Sequence, residues 1–180
     1  MEEFGMLPHI REHSLMVREV ARWLGRALTD AGSVLNLPLI EAGALLHDLG
    51  KTPCLGTGAN HAHWGAAVLL ARGYPLVAQV VREHIRLEPA SPDSRPFREA
   101  EVVNYADKRV LHTQVVPLAK RFADLKRRYG TTPESLVRIR TYEEVSFRLE
   151  AKLFASLTLT PEDLMHLNER REQWQSSGSP

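Results

Sequence analysis

An all-α fold follows from three observations on the 180-residue sequence. Apolar residues recur at three- and four-residue spacing along most of the chain, and no convincing alternating strand interrupts them. Prolines and Thr-Pro-Glu steps stand where helices begin, and glycines stand where they end. The window 39–50, "LIEAGALLHDLG", is apolar nearly all round, as the central buried helix of such a fold must be.

Each element is justified in turn. Over 8–29, His13, Met16, Val17, Val20, Ala21, Leu24 and Leu28 share one helix face, and Pro8 suits the first turn. Pro38 opens the second helix, 39–49, which Gly50 ends. "TPCLGTGAN" (52–60) is a loop. A third helix spans 61–72 and stops at Gly73, and a fourth runs from Pro75 to 85. "LEPASPDSRP" (87–96), with three prolines, is a second loop. Helices follow over 97–112 and 116–129, the latter ending at Gly130. Thr132-Pro133-Glu134 is an N-cap and first turn for a long helix to 157. Thr160-Pro161-Glu162-Asp163 repeats that signature for a last helix to 173. The predicted organisation is a helical body over 1–130, a two-helix extension of the same domain over 131–175, and a disordered tail over 176–180.

Composition narrows the function classes. Apolar and charged fractions of 43% and 25% are those of an ordinary soluble globular protein. A net charge of +1 favours neither nucleic acid nor an acidic surface as partner. The absence of any run of about 18 apolar residues excludes a membrane-spanning helix. The acidic start "MEEFGMLPHI" is not a signal peptide, and Cys54, the single cysteine, can form neither an internal disulfide nor a thiolate metal cluster. A cytoplasmic location is expected.

Chemistry enters through polar residues on apolar faces. His47 and Asp48 end the most apolar helix, where burying them unpaired costs several kcal/mol. His13 lies in the apolar stripe of the first helix. His61 precedes Gly65, Val68 and Leu69 on one face, His84 follows Val80 and Val81, and Asp107 stands between Val103 and Val110. Each alone is explained by an ordinary hydrogen bond in a core. Together, four imidazoles and two carboxylates on five consecutive helices suit a divalent metal with nitrogen and oxygen ligands. Neighbours on a helix point about 100° apart, so His47 and Asp48 converge only at the helix end.

This ordered set resembles the HD superfamily of metal-dependent phosphohydrolases. The resemblance rests on His13 in "REHSLMV", His47-Asp48 in "LLHDLGK", Asp107 in "NYADKRV", His61 in "HAHWGA" and His84 in "VVREHI", and covers about residues 9–130. It implies an all-α HD-type helical bundle and one or two divalent ions (Fe, Mn, Co, Ni or Mg) held by His13, His47, Asp48, His61, His84 and Asp107. It implies hydrolysis of a phosphoester or phosphoanhydride bond of a nucleotide-like substrate by a metal-activated water, the ion lowering the water's pKa toward ~7. Asp48 is the natural bridge between two ions. The dinuclear diadenosine-tetraphosphate hydrolases are the nearest specific analogy. Cleavage of cyclic di-guanylate is disfavoured, because Ile85 follows His84 and no Gly-Tyr-Pro occurs.

Lys51, one turn past the doublet, is the candidate for neutralising a phosphoryl oxygen in catalysis. Arg82, Arg86, Lys108 and Arg109 flank ligands and are candidates for phosphate binding. His9 and His63 are expected to be exposed decoys, and His112 and His166 surface residues. The basic stretch 120–140 reads as a solvated face, so nucleic acid is a disfavoured partner. The apolar positions after Tyr142 pack on the body or on a second subunit, which leaves a homo-oligomer open. The competing functions are a non-catalytic metal- and nucleotide-binding regulatory module and an RNA phosphodiesterase.

Overall fold

The three-dimensional structure is a computed structural model that describes residues 1–88 and 96–169. Its order is α1 (Pro8–Asp30), α2 (Leu37–Leu46), α3 (His61–Ala71), α4 (Pro75–Glu83), α5 (Glu99–Arg109), β1 (Val110–Leu111), β2 (Gln114–Val115), α6 (Leu118–Tyr129) and α7 (Pro133–Phe154). A 3-10 turn over Pro161–Met165 follows, continued by helical residues to Glu169. The all-α class holds, and a helix stands in each stretch expected between residues 8 and 157. Most of the loop expected over 87–96, the end of the last helix and the expected tail lie outside the described residues.

Local chemistry explains the starts. Pro8, Pro38, Pro75 and Pro133 occupy first turns, where a missing N–H costs nothing. The Asn36 side chain accepts from the Leu39 N–H at 3.0 Å, that of Asn60 from the Ala62 N–H at 2.9 Å, and Thr132 Oγ1 from the Ser135 N–H at 3.2 Å. Such caps each stabilise a helix by about 1 kcal/mol.

Two ends differ from the sequence reading. Helix α2 stops at Leu46, and residues 47–57 form successive turns, so His47 and Asp48 lie just past the helix rather than inside it. The apolar run continues through Leu49 because that side chain is buried too, which periodicity cannot separate from helix. After α5 the chain makes a short antiparallel hairpin, Val110 opposite Val115 and Leu111 opposite Gln114. Its turn residue His112 has φ 55°, a left-handed backbone unusual outside glycine.

The apolar faces meet in two clusters. The larger joins Val17, Leu24 and Leu28 of α1, Ile40 and Ala44 of α2, Val103 and Ala106 of α5, Phe122 of α6, and Leu149 and Leu153 of α7. The smaller gathers Met6, Ile10, Leu49, Ala66, Leu69 and Val81. Each fully buried Leu or Val contributes about 1.5–3 kcal/mol. The inner face of α7 thus packs on the body. His47 and Asp48 stand where the clusters adjoin, between Ala44 of the first and Leu49 of the second.

Gly50 fixes this junction in a different way from the one its place in the sequence suggests. Its φ lies outside the left-handed range, so it is no αL cap. A Cβ there would come within 2.2 Å of the His61 carbonyl oxygen and 3.0 Å of the Gly65 nitrogen. The turn after α2 and the first turn of α3 touch backbone to backbone, which sets the position of His61.

Candidate metal centre

The structure gathers six side chains from the helical body. His13 faces inward from α1; His47 and Asp48, 0% and 2% exposed, occupy the turn after α2. His61 is the first residue of α3, His84 follows the last turn of α4, and Asp107 lies in the last turn of α5. His13 Nε2 is 3.2 Å from Asp107 Oδ1 and His47 Nε2 is 3.7 Å from that same oxygen. His47 Nε2 is also 3.4 Å from Asp48 Oδ2. On the other side, His61 Nε2 and His84 Nε2 lie 3.1 and 3.7 Å from Asp48 Oδ1, and 3.1 Å from each other.

The result is two triads, His13/His47/Asp107 and Asp48/His61/His84, the donor atoms of each within 4.8 Å of one another. Asp48 stands between them, one oxygen turned to His47 and the other to His61 and His84.

The outer nitrogens settle the tautomers. Nδ1 of His13, His47 and His84 lies 2.8, 2.7 and 2.6 Å from the carbonyls of His112, Ala44 and Val81. A carbonyl only accepts, so each Nδ1 donates its N–H, and in its neutral form each ring turns an Nε2 lone pair inward. His47 Nε2 is buried and makes no hydrogen bond among the described residues, although carboxylate oxygens face it. A lone pair opposed to carboxylates calls for a cation between them. The donor set of imidazole nitrogen and carboxylate oxygen suits a divalent metal of borderline or hard character.

Charges agree with that reading. Burial alone would raise the Asp48 carboxyl, but His47, His61 and Lys51 hold it well below the usual carboxylate range. Burial likewise opposes ionisation of Asp107, and Lys108, His13, His47 and Arg121 overcome it. Burial, aided by His47, pushes His84 well down, so its imidazole is neutral and free to ligate. Burial also works against a charge on His47, but Asp48 and Asp107 outweigh it and raise its pKa.

Two lysines complete the frame. Lys51 Nζ is 2.8 Å from Asp48 Oδ2. Lys108 is buried; its Nζ donates to the His84 carbonyl and lies 3.3 Å from Asp107 Oδ2. Asn104 Nδ2 donates to the carbonyls of Glu83 and His84 at 2.9 Å each. Surface grooves of about 570 Å³ beside Trp23 and 620 Å³ beside Leu15 are lined by none of the six residues.

A family model described as the HD domain matches residues 10–110. The chain belongs to the HD-domain family. The HD domain is typical of metal-dependent phosphohydrolases, its members bind divalent metals, and the His/Asp triads have the make-up to hold one here. The uncharacterised protein MJ0778 of Methanocaldococcus jannaschii is 28% identical over 143 residues, which cover 73% of this chain and 83% of that protein. No solved structure gives a significant match.

Outside the six, the expectations for this HD domain divide. Arg109 is corrected: it is 2% exposed, and its guanidinium donates to the carbonyls of Val116 and Pro161 at 2.8 Å and pairs with Glu150 at 3.0 Å. Two positions past Asp107 on a helix is a turn of about 200°, which sends Arg109 to the α7 side. Lys108 is committed to His84 and Asp107. Arg82 is exposed and 3.6 Å from Glu88, and Arg86 lines a groove of about 340 Å³ with Arg138 and Tyr142. Among the described residues, no ion pair brings either arginine to Asp48 or Asp107.

His9 and His63 are exposed and Cys54 is a half-buried free thiol. His166 is half-buried rather than at the surface, its ring tilted against that of Trp23 with centroids 5.6 Å apart. The exposed His112 holds His13 through its carbonyl, a backbone role that its side chain does not advertise. Sequence reasoning also passed over Arg121, whose charge acts on Asp107 from α6. Its one signal was membership of the basic stretch 120–140. No helix among the described residues is long and apolar enough to cross a membrane.

Proposed function

We propose that this HD domain is a metal-dependent phosphohydrolase that cleaves a phosphoester or phosphoanhydride bond of a small nucleotide-like substrate. The observation that carries the reading is the buried, unpartnered His47 Nε2, set among two carboxylates and three further imidazoles. In this reading His13, His47 and Asp107 would hold one ion and Asp48, His61 and His84 a second, and Asp48, which stands between the triads, would contribute to both. The native metal is one of Fe, Mn, Co, Ni or Mg. A divalent ion so held supplies Lewis acidity and a water whose pKa falls toward ~7.

The chain's own residues do the remaining work. The carbonyls of Ala44, Val81 and His112 fix the rings, so the donor atoms need no reorganisation. Lys51, with 38% of its side chain exposed, is placed to exchange its contact with Asp48 for a phosphoryl oxygen. Lys108 holds Asp107 and the His84 turn in place. The dinuclear diadenosine-tetraphosphate hydrolases remain the nearest analogy for the substrate.

The RNA alternative draws less support. Within the basic stretch, Arg127 and Arg128 pair with Asp124 at 2.6 and 2.9 Å, and Lys126 pairs with Glu143 at 2.5 Å. Three of the seven basic residues over 120–140 are thus engaged in ion pairs within the chain. The deciding experiment incubates the full chain with nucleotides and dinucleotides in the presence of Mn, Fe, Co, Ni or Mg, and follows products by chromatography. Metal-dependent cleavage of at least one compound is expected. A metal-loaded protein that cleaves none of them rejects the enzyme reading in favour of the regulatory module.

A further inference from the structure

Helix α3, "HAHWGAAVLLA", is the one helix among the described α1–α7 without a charged residue. A helix apolar all round belongs in an interior. Only half of this one is there. Ala62, Gly65, Ala66 and Leu69 are buried, and a Cβ at Gly65 would meet Val81 of α4 at 3.3 Å and the Gly50 nitrogen at 3.4 Å. At 100° per residue, His63, Trp64, Ala67, Leu70 and Ala71 fall within an arc of about 120° on the other side. All five are exposed.

The apolar surface continues past the helix. With Gly73 at φ 82°, the N–H groups of Gly73 and Tyr74 donate back to the carbonyls of Leu70 and Leu69, both at 3.0 Å. That closure leaves Tyr74 and Leu76 at the end of the same face. Trp64, Leu70, Tyr74 and Leu76 are 37%, 61%, 57% and 60% exposed. With about 150–250 Å² per aromatic side chain and somewhat less per leucine, these fractions leave roughly 450 Å² of mostly apolar surface in water. A patch of that order, about 300–600 Å², is the largest a typical monomer shows and is often functional. His63, Ala67, Ala71 and Pro75, also exposed, enlarge it toward the ~800 Å² that each partner of a stable interface buries.

The charges decide what covers it. A two-fold dimer sets a patch against its own copy, so an unpaired charge there meets its like. Residues 61–76 hold one charged residue, Arg72, and it is already neutralised. Its Nη1 pairs with Glu3 at 2.6 Å, and its guanidinium lies 4.3 Å from the centre of the Phe4 ring. A helix lying on a membrane surface would carry a basic polar face, and α3 has none. We infer that the exposed face of α3, with Tyr74 and Leu76, is a homodimer interface, its occupant the same face of a second copy of this chain. His61 opens the same helix, so the interface and the candidate metal centre share one element.

The test is sedimentation velocity on the full-length protein, from about 1 to 100 μM, for wild type, L70D, A67R and V34D. L70D puts a charge where a leucine meets its partner, and A67R adds bulk and charge mid-face while removing no contact within the chain. Wild type should sediment as a dimer. L70D and A67R should each weaken dimerisation about 100-fold or more, with circular dichroism unchanged. V34D, at an exposed loop position outside the patch, should stay dimeric. A wild type that is monomeric at about 100 μM overturns the inference, whether the face then binds lipid vesicles, another protein or nothing. A dimer that survives both L70D and A67R overturns it too, by placing the interface elsewhere. Equal dissociation of V34D does the same, since added charge rather than position would be the cause. Should L70D fail to fold, A67R decides alone.

Discussion

His47 makes the metal centre sensitive to pH. Its Nδ1 proton is committed to the Ala44 carbonyl, so a second proton sits on Nε2, the atom a metal needs. Asp48 and Asp107, against the cost of burial, raise the pKa of that proton above 6.5. In metal-free protein the protonated ring therefore stabilises the fold fully below pH 6.5, and this contribution is lost as pH rises through the raised value. A metal competes with that proton, so its binding weakens as pH falls, by up to about tenfold per unit below the His47 pKa. The rise in Tm on adding Mn should accordingly grow between about pH 6 and pH 8. A rise independent of pH, in melts recorded with and without Mn, contradicts this assignment. At the same scale, Lys51→Ala should leave metal content intact and lower kcat/KM on a cleaved nucleotide by about 10- to 1000-fold. Loss of metal instead would make Lys51 a structural prop of Asp48.

Elements set the positions of these residues, and Gly50 is the sharpest case. A methyl group there meets the backbone of α3, which cannot move aside as a side chain can. Gly50→Ala should cost about 1–3 kcal/mol in urea unfolding and displace His61, lowering occupancy of the Asp48/His61/His84 triad. An alanine variant of wild-type stability would mean that α3 slides freely on the turn after α2. The helices themselves were legible because the α1, α2 and α5 faces repeat at helical spacing, and the inward histidines were legible because they interrupt those faces. The hairpin was not, since strands as short as Val110–Leu111 and Gln114–Val115 have no alternation to read. Arg109 was misread because adjacency to a ligand in sequence is not adjacency on a helix.

For the whole molecule, Arg109 ties the α5 end of the centre to the C-terminal helices. It joins Val116, Glu150 and Pro161, and Tyr105 donates to the same Glu150 carboxylate at 2.6 Å. Removing one partner of a buried pair typically costs about 3–5 kcal/mol. Arg109→Ala should lose about that much in urea unfolding; a change within 0.5 kcal/mol, roughly what a surface site gives, would show that the network carries no stability. Because α7 shares the larger cluster with α1 and α5, the centre and the C-terminal helices should unfold together, in one transition by both fluorescence and circular dichroism.

The central claim is that two triads meeting at Asp48 bind divalent ions, and the metal count per chain tests it most directly. Elemental analysis after Mn loading should find two ions in wild type, one in His61→Ala and none tightly held in Asp48→Ala. Full occupancy in Asp48→Ala, with the protein folded, would contradict the account and place the metal elsewhere.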